Sequence, residues 1–240
     1  MTTVGWSHIQ VPRVLNWDGL EQFTADVQSA IALPHASGMV LAGRDDVFCL
    51  GLEVGGSDIS HSWRDAAEHF AALLEMILTA PMPTIAAVNG RAVGGGVGLA
   101  ASCDCVIAVE TAVFALPELL LGFFPAMVLP VLERRVTLQR VRLRALLGEG
   151  FSAAIAAGDG LVDEVVNPAT LDVSVRRAAR SLGRARRETV AAWRRYSVDA
   201  SALAARLHQG AADTAARLQD PVIARRLRNF QEEGIAPWQD

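Results

Sequence analysis

Glu118 stands in the run Phe114-Ala115-Leu116-Pro117-Glu118-Leu119-Leu120, one carboxylate among apolar neighbours. Such surroundings disfavour the charged form, which raises the basicity of the group. A second stretch with chemical character lies upstream. Ile85-Ala86-Ala87-Val88 reads as a buried strand that ends at the turn pair Asn89-Gly90. Gly94-Gly95-Gly96 follows, and then the small apolar run Val97-Gly98-Leu99-Ala100-Ala101, suited to a buried helix. Glycines at a strand-to-helix junction let a ligand approach the backbone and expose amide N–H groups at the start of the helix. Those amides suit a phosphate or a developing oxyanion; glycines serving tight packing alone are the plain alternative. The GxGxxG fingerprint of a dinucleotide site is absent in the required form.

The elements that must position these residues follow from periodicity. Residues 4–14 read as strand, with His8 and Gln10 on one face and Ile9 and Val11 on the other. Asp18 is expected to cap an amphipathic helix over 19–33, with Leu20, Phe23, Val27 and Ile31 at helical spacing. Residues 39–42 and 47–50 are expected strands. Residues 63–78 form a helix with Trp63, Ala67, Phe70, Leu74 and Ile77 on one stripe. His35 reads as a solvated loop residue and His69 as a half-exposed helix residue. Residues 113–132 are apolar enough to mimic a membrane span, but Glu118, Pro117, Pro125 and Pro130 argue for strand, loop and helix start. Residues 137–148 form a helix whose Arg140, Arg142 and Arg144, with Arg134 and Arg135, make a basic patch. A solvated face is the favoured reading of that patch, with contact to substrate phosphates as the alternative. Helices are expected over 171–182, 188–197, 200–218 and 221–233. The dense arginines at 176, 177, 180, 184, 186 and 187 read as a further solvated face.

Four segments in order then resemble one family. PTIAAVNGRAVGGGVGLAASCDCVIA, beginning at Pro83, is similar to the central motif of the crotonase (enoyl-CoA hydratase/isomerase) superfamily. Val40–Gly43 with Val47–Glu53, Phe114–Glu118 with Leu121-Gly122, and Phe151-Ser152-Ala153 with Gly160–Val166 resemble its flanking segments. The resemblance covers about residues 38–167 and implies an α/β fold, a spiral of ββα units over 1–167, with a C-terminal helical region over 168–240. It implies that such helices build a homotrimer or hexamer and cover an active site. It also implies an acyl-thioester enzyme with an oxyanion hole from the Leu52 and Gly95 N–H groups and Glu118 as acid/base. Gly51, Gly94, Gly96, Gly98, Trp63, Phe70, Phe123 and Met127 complete the expected substrate-binding set, with His61 a further pocket candidate. Glu53 stands where the family carries Asp and is read as structural.

Two departures matter. Hydratases of the superfamily carry a second glutamate at the position of Gly98, and hydration needs two placed proton-transfer groups. One carboxylate suffices for a proton shuttle, so the active-site pattern is closest to the single-glutamate isomerase branch. The family's second glycine pair is replaced by apolar bulk around Phe123-Phe124-Pro125-Ala126-Met127-Val128, which implies a drier cavity. Alternatives are an acyl-thioester decarboxylase or hydratase of the same superfamily, or a non-catalytic subunit or scaffold. The decarboxylating branch that works on carrier proteins uses a lysine, and all 22 basic residues of this chain are arginine.

Composition bounds the rest. The 240 residues are 51% hydrophobic and 20% charged, enough for a sizeable core and unlike a disordered chain. A net charge of −4 leaves no footprint for nucleic acid. Cys49, Cys103 and Cys105 have neither paired-framework nor zinc spacing and read as free thiols, and no metal is suggested. The start of the chain lacks a basic segment followed by an apolar one, so a cytoplasmic protein with no membrane association is expected. The expected partner is an acyl-CoA or acyl-carrier-protein substrate. No cofactor is expected beyond the CoA or phosphopantetheine of the substrate itself.

Overall fold

Short apolar strands too continuous to alternate faces belong in a parallel sheet covered on both sides, and the computed structural model arranges them so. It describes residues 5–53 and 62–233. The chain starts with β1 (Trp6–Gln10), α1 (Trp17–Ala32), β2 (Gly38–Ala42), β3 (Val47–Cys49) and α2 (Trp63–Thr79). β4 (Thr84–Val88), β5 (Arg91–Val93), α3 (Gly95–Ala101), β6 (Cys105–Val109) and β7 (Val113–Ala115) follow. Then come α4 (Leu129–Leu132), α5 (Leu138–Leu147), β8 (Phe151–Ser152), α6 (Ala153–Asp159) and β9 (Glu164–Val166). A 3-10 turn at Pro168–Thr170 leads to α7 (Leu171–Leu182), α8 (Arg187–Ser197), α9 (Ala200–Leu218) and α10 (Pro221–Glu233).

From β2 to β7 the strands alternate between two sheets. One sheet has the order β1-β2-β4-β6-β9 and is parallel throughout. The other has the order β3-β5-β7-β8, parallel except for the antiparallel β7–β8 pair. Each of the pairs β2/β3, β4/β5 and β6/β7 therefore contributes one strand to each sheet before the chain enters a helix. This is the expected spiral of ββα units. The main core joins Phe23 of α1, Phe70 and Leu74 of α2, Leu99 of α3 and Phe114 of β7. A smaller core on the other face of the five-stranded sheet joins Val40, Ile85 and Ile107 to Val175 and Ala179 of α7.

Local readings hold with small shifts. Ile9 and Val11 are buried while Gln10 is exposed, as strand alternation requires. The cap of α1 is Asn16, whose side chain accepts from the Gly19 N–H at 2.9 Å, so Asp18 lies in the first turn instead. α2 begins on a capping box in which Ser62 and Asp65 satisfy each other's backbone N–H groups. The stretch 113–132 divides into β7, a turn-rich loop and α4, and no helix among the described residues is long and apolar enough to cross a membrane.

The arginines of the two basic runs are partly tied down. Arg135 pairs with Asp163 and donates to the Cys103 carbonyl at 2.9 Å, and Arg144 meets Asp159 at 2.7 Å. Arg177 pairs with Glu164. One arginine outside those runs braces the strand that leads to the glycine loop. Arg194 of α8 donates to the carbonyl of Ala80 at 2.7 Å, to that of Met82 at 3.2 Å and to Asp104 at 2.7 Å. The same Asp104 oxygen accepts from the N–H (2.9 Å) and hydroxyl (3.1 Å) of Thr84, the first residue of β4. Arg194→Ala strands these acceptors at an 11%-exposed site, at a cost of about 2–4 kcal/mol. A thermal melt is expected to show a midpoint several degrees lower; an unchanged midpoint would mean that α8 does not brace β4.

Candidate active site

The site grows from the ends of the short second sheet. β5 and β7 pair with Val93 opposite Ala115, and the Gly94 N–H donates to the Ala115 carbonyl at 2.9 Å. That pairing sets the start of α3 beside the segment carrying Glu118, three residues past β7. Gly94 adopts φ +52°, ψ −111°, a conformation costly for residues with a Cβ, and a Cβ there would come within 3.0 Å of Glu118 Oε1. Glycine thus serves both the turn and the approach of the carboxylate. A tight turn holds the carboxylate's own backbone: the N–H groups of Leu121 and Phe123 both donate to the Glu118 carbonyl at 3.1 Å.

The second wall comes from the end of β3. Gly51 has φ +87°, and a Cβ on it would lie 2.9 Å from the Val93 carbonyl oxygen and 3.0 Å from the Gly95 nitrogen. The two loops therefore meet at their backbones. Leu15 pairs with Leu52 in an isolated bridge, in which the Leu15 N–H donates to Gly51 and the Glu53 N–H donates to Leu15. That pattern turns the Leu52 N–H away from the bridge. The Gly95 N–H, first in its helix, has no intrahelical acceptor. Both amides are thus presented without being consumed by secondary structure. The Gly51 N–H is held by the buried Cys49 sulfur at 3.4 Å.

Between these walls lies a cavity of about 120 Å³. Of the expected site residues, Gly51, Leu52, Trp63, Gly94, Gly95, Glu118, Phe123 and Met127 line it. Three do not. Gly96 sits behind the wall, where a Cβ would fall 2.1 Å from the Cys49 carbonyl oxygen. Phe70 backs Gly95 from the core, its Cζ 3.1 Å from the place of a Cβ. Gly98 is covered by Val128, whose Cγ1 is 2.4 Å from the place of a Cβ. These three shape the wall from behind. His61 lies outside the described residues, and the Glu53 side chain is exposed and off the cavity. Val128 and Thr214 line the cavity without having been singled out as site residues. Thr214 comes from α9, where Gly210 one turn earlier lets the helix approach so closely that a Cβ would be 2.5 Å from the Ala126 carbonyl oxygen. A glycine within a helical pattern was the only sequence signal of that approach.

Among the described lining residues Glu118 is the single titratable side chain. It is 7% exposed, and Oε2 has no hydrogen-bond partner among the described residues. Burial pushes its carboxyl up to about 7 from an ordinary 4.5, opposed by a hydrogen bond from its own backbone N–H. Phe114 and Leu116 are buried nearby in sequence, whereas Leu119 turns outward at 39% exposure, so the desolvation does not come from the whole apolar run. Near neutral pH such a group exists in both protonation states and can take up and return a proton. No group of three or more His, Cys, Asp or Glu side chains able to hold a metal occurs among the described residues.

Residues 18–240 match the model of the family described as Enoyl-CoA hydratase/isomerase. The bacillaene synthase dehydratase PksH of Bacillus subtilis (strain 168) is 30% identical over 208 residues, 84% of this chain and 79% of that protein. The crystal structure of an enoyl-CoA hydratase/isomerase from Xanthobacter autotrophicus Py2 superposes with a TM-score of 0.86 at 25% identity, covering 100% of this chain and 96% of that one. The enoyl-CoA hydratase from Bacillus halodurans shares the fold, with a TM-score of 0.86 at 19% identity over 95% of this chain and 97% of that one. A family match over almost the whole length, on a spiral fold that joins the Leu52 and Gly95 amides and a buried glutamate in one cavity, means that the chain belongs to the enoyl-CoA hydratase/isomerase family.

Proposed function

We propose that the protein shifts the double bond of an enoyl thioester, carried on CoA or on a phosphopantetheine-bearing protein. The observation that carries this reading is Glu118 as the only titratable side chain among the described lining residues, buried and poised near neutrality. The thioester carbonyl is taken to accept from the Leu52 and Gly95 N–H groups. The Glu118 carboxylate removes a proton from the α-carbon of a β,γ-enoyl thioester. The C–H electron pair enters the π-system, and the negative charge gathers on the thioester oxygen, where two fixed donors supply several kcal/mol of stabilisation. Glu118, now protonated, returns the proton at the γ-carbon, and the double bond comes to rest conjugated with the carbonyl. Nothing is oxidised, and the enzyme ends in its starting state.

A second reading is favoured by the name of one relative. PksH is called a dehydratase, and loss of water from a 3-hydroxyacyl thioester begins with the same α-proton removal. There the proton held by Glu118 leaves with the hydroxyl. Mass spectrometry of enoyl and 3-hydroxyacyl thioesters, each on CoA and on a carrier protein, in deuterated water separates the two. Isomerisation shifts the double bond at unchanged formula, separated chromatographically, with any solvent deuterium entering at the γ-carbon; dehydration removes one water. Absence of double-bond shift, water loss and deuterium exchange in every thioester offered would sink both and favour a non-catalytic member of the family.

A further inference from the structure

Val128 is 3% exposed and forms part of the cavity wall. Directly behind it lies Gly98 of α3. A Cβ at 98 would stand 2.4 Å from Val128 Cγ1, 3.0 Å from Val128 Cβ and 3.8 Å from Leu74 Cδ1. The isopropyl group therefore fills the space that any side chain at position 98 would need. At this point the wall is one side chain thick, and the Gly98 backbone is the next surface behind it. The segment bearing Val128 has little room to retreat, because α9 presses against it: a Cβ on Gly210 would fall 2.5 Å from the Ala126 oxygen and 2.9 Å from the Met127 nitrogen.

Size turns this packing into selectivity. The cavity measures about 120 Å³. A dry engineered cavity of roughly 150 Å³ holds benzene, six carbon atoms. We infer that Val128, packed over Gly98, ends the acyl cavity and is the specificity-determining residue that limits the acyl group to about four to six carbons. The inference rests on the reading that the thioester sits between the two amides and Glu118. Each methylene that the wall refuses or admits is worth about 10-fold or more in discrimination.

Binding of saturated acyl-pantetheine thioesters, from butanoyl to decanoyl, tests this independently of turnover. Pantetheine is common to CoA and carrier proteins, so the carrier does not enter. Wild-type affinity is expected to peak at butanoyl or hexanoyl and to fall at least ~10-fold by decanoyl. Val128→Ala removes two methyl groups and opens the wall onto Gly98 and Leu74, making room for about two further carbons, so octanoyl is expected to gain at least ~10-fold on butanoyl. Gly98→Ala works in the opposite sense, pushing Val128 forward and costing hexanoyl relative to butanoyl. A flat wild-type profile, or the same profile in wild type and folded Val128→Ala, would overturn the inference. Absence of any double-bond shift would instead remove the isomerase reading and leave the chain-length profile standing.

Discussion

Glu118→Gln is expected to lower the kcat of the thioester isomerisation at least ~100-fold while leaving KM nearly unchanged. Glutamine keeps the size of the side chain and its place against Gly94 but cannot carry the proton. In the proposed arrangement the thioester contacts lie elsewhere, on the Leu52 and Gly95 amides, so ground-state affinity is expected to be preserved. In the wild type the rate should rise with pH through about 7, where Glu118 loses its proton, and that ascending limb should vanish in the variant. Stability offers a second readout of opposite sign. The folded state holds this proton more tightly than the unfolded state, so its contribution is present below about 4.5 and is lost as pH rises to about 7. The loss is of order 3 kcal/mol, and Glu118→Gln should remove that component of the pH dependence. Retained turnover in the variant would place the proton transfer on another residue.

Gly98→Glu is expected not to create a hydratase, although the resemblance to two-glutamate relatives suggests that it restores a missing carboxylate. The new Cβ would meet Val128 Cγ1 at 2.4 Å, and the carboxylate would begin its path among Val128 and Leu74. Overpacking and a buried unpaired charge together should cost about 3–5 kcal/mol, visible as a large drop in thermal midpoint. Removing the obstruction in the pair Gly98→Glu with Val128→Gly should recover part of that loss. Hydration of a crotonyl-type thioester is expected to be absent from the wild type and from the single variant. A single variant as stable as wild type would contradict the packing of Val128 on Gly98. Efficient hydration by the wild type would end the isomerase reading and favour the dehydratase one, whose reverse it is.

Both predictions depend on neighbours far away in sequence. Position 98 is adjacent to Val128 because α3 and the segment before α4 pack together, thirty residues apart along the chain. No pattern around Gly98 announces it. Glu118 is different. Its apolar setting is legible in Phe114 and Leu116, yet the outward turn of Leu119 has no counterpart in the apolar run itself. The degree of burial, and the unpartnered Oε2, come from the loops folded over it.

Local order carried the elements well. The periodicity over 63–78 and over the four C-terminal helices, the apolar strand at 85–88 and the glycines ending it are short-range signals, dictated by side-chain spacing and backbone freedom. The spiral, and the grouping of Leu52, Gly95 and Glu118, are implied by the resemblance to the crotonase superfamily and not by these signals; in the structure Gly51, Leu52, Gly94, Gly95 and Glu118 line one cavity because each follows a strand of the same small sheet. The cavity's limits are another matter. Gly96, Gly98 and Phe70 share those elements but lie behind the wall, since successive residues of a helix point in different directions and only packing decides which side is open. Thr214 reaches the site from α9, more than ninety residues after Glu118, through a close helix approach at Gly210. Residue types and their spacing determine the chemistry this chain can attempt. Which side chains meet, and how large a substrate they admit, is decided by volumes excluded between distant segments, and only the tertiary structure fixes those.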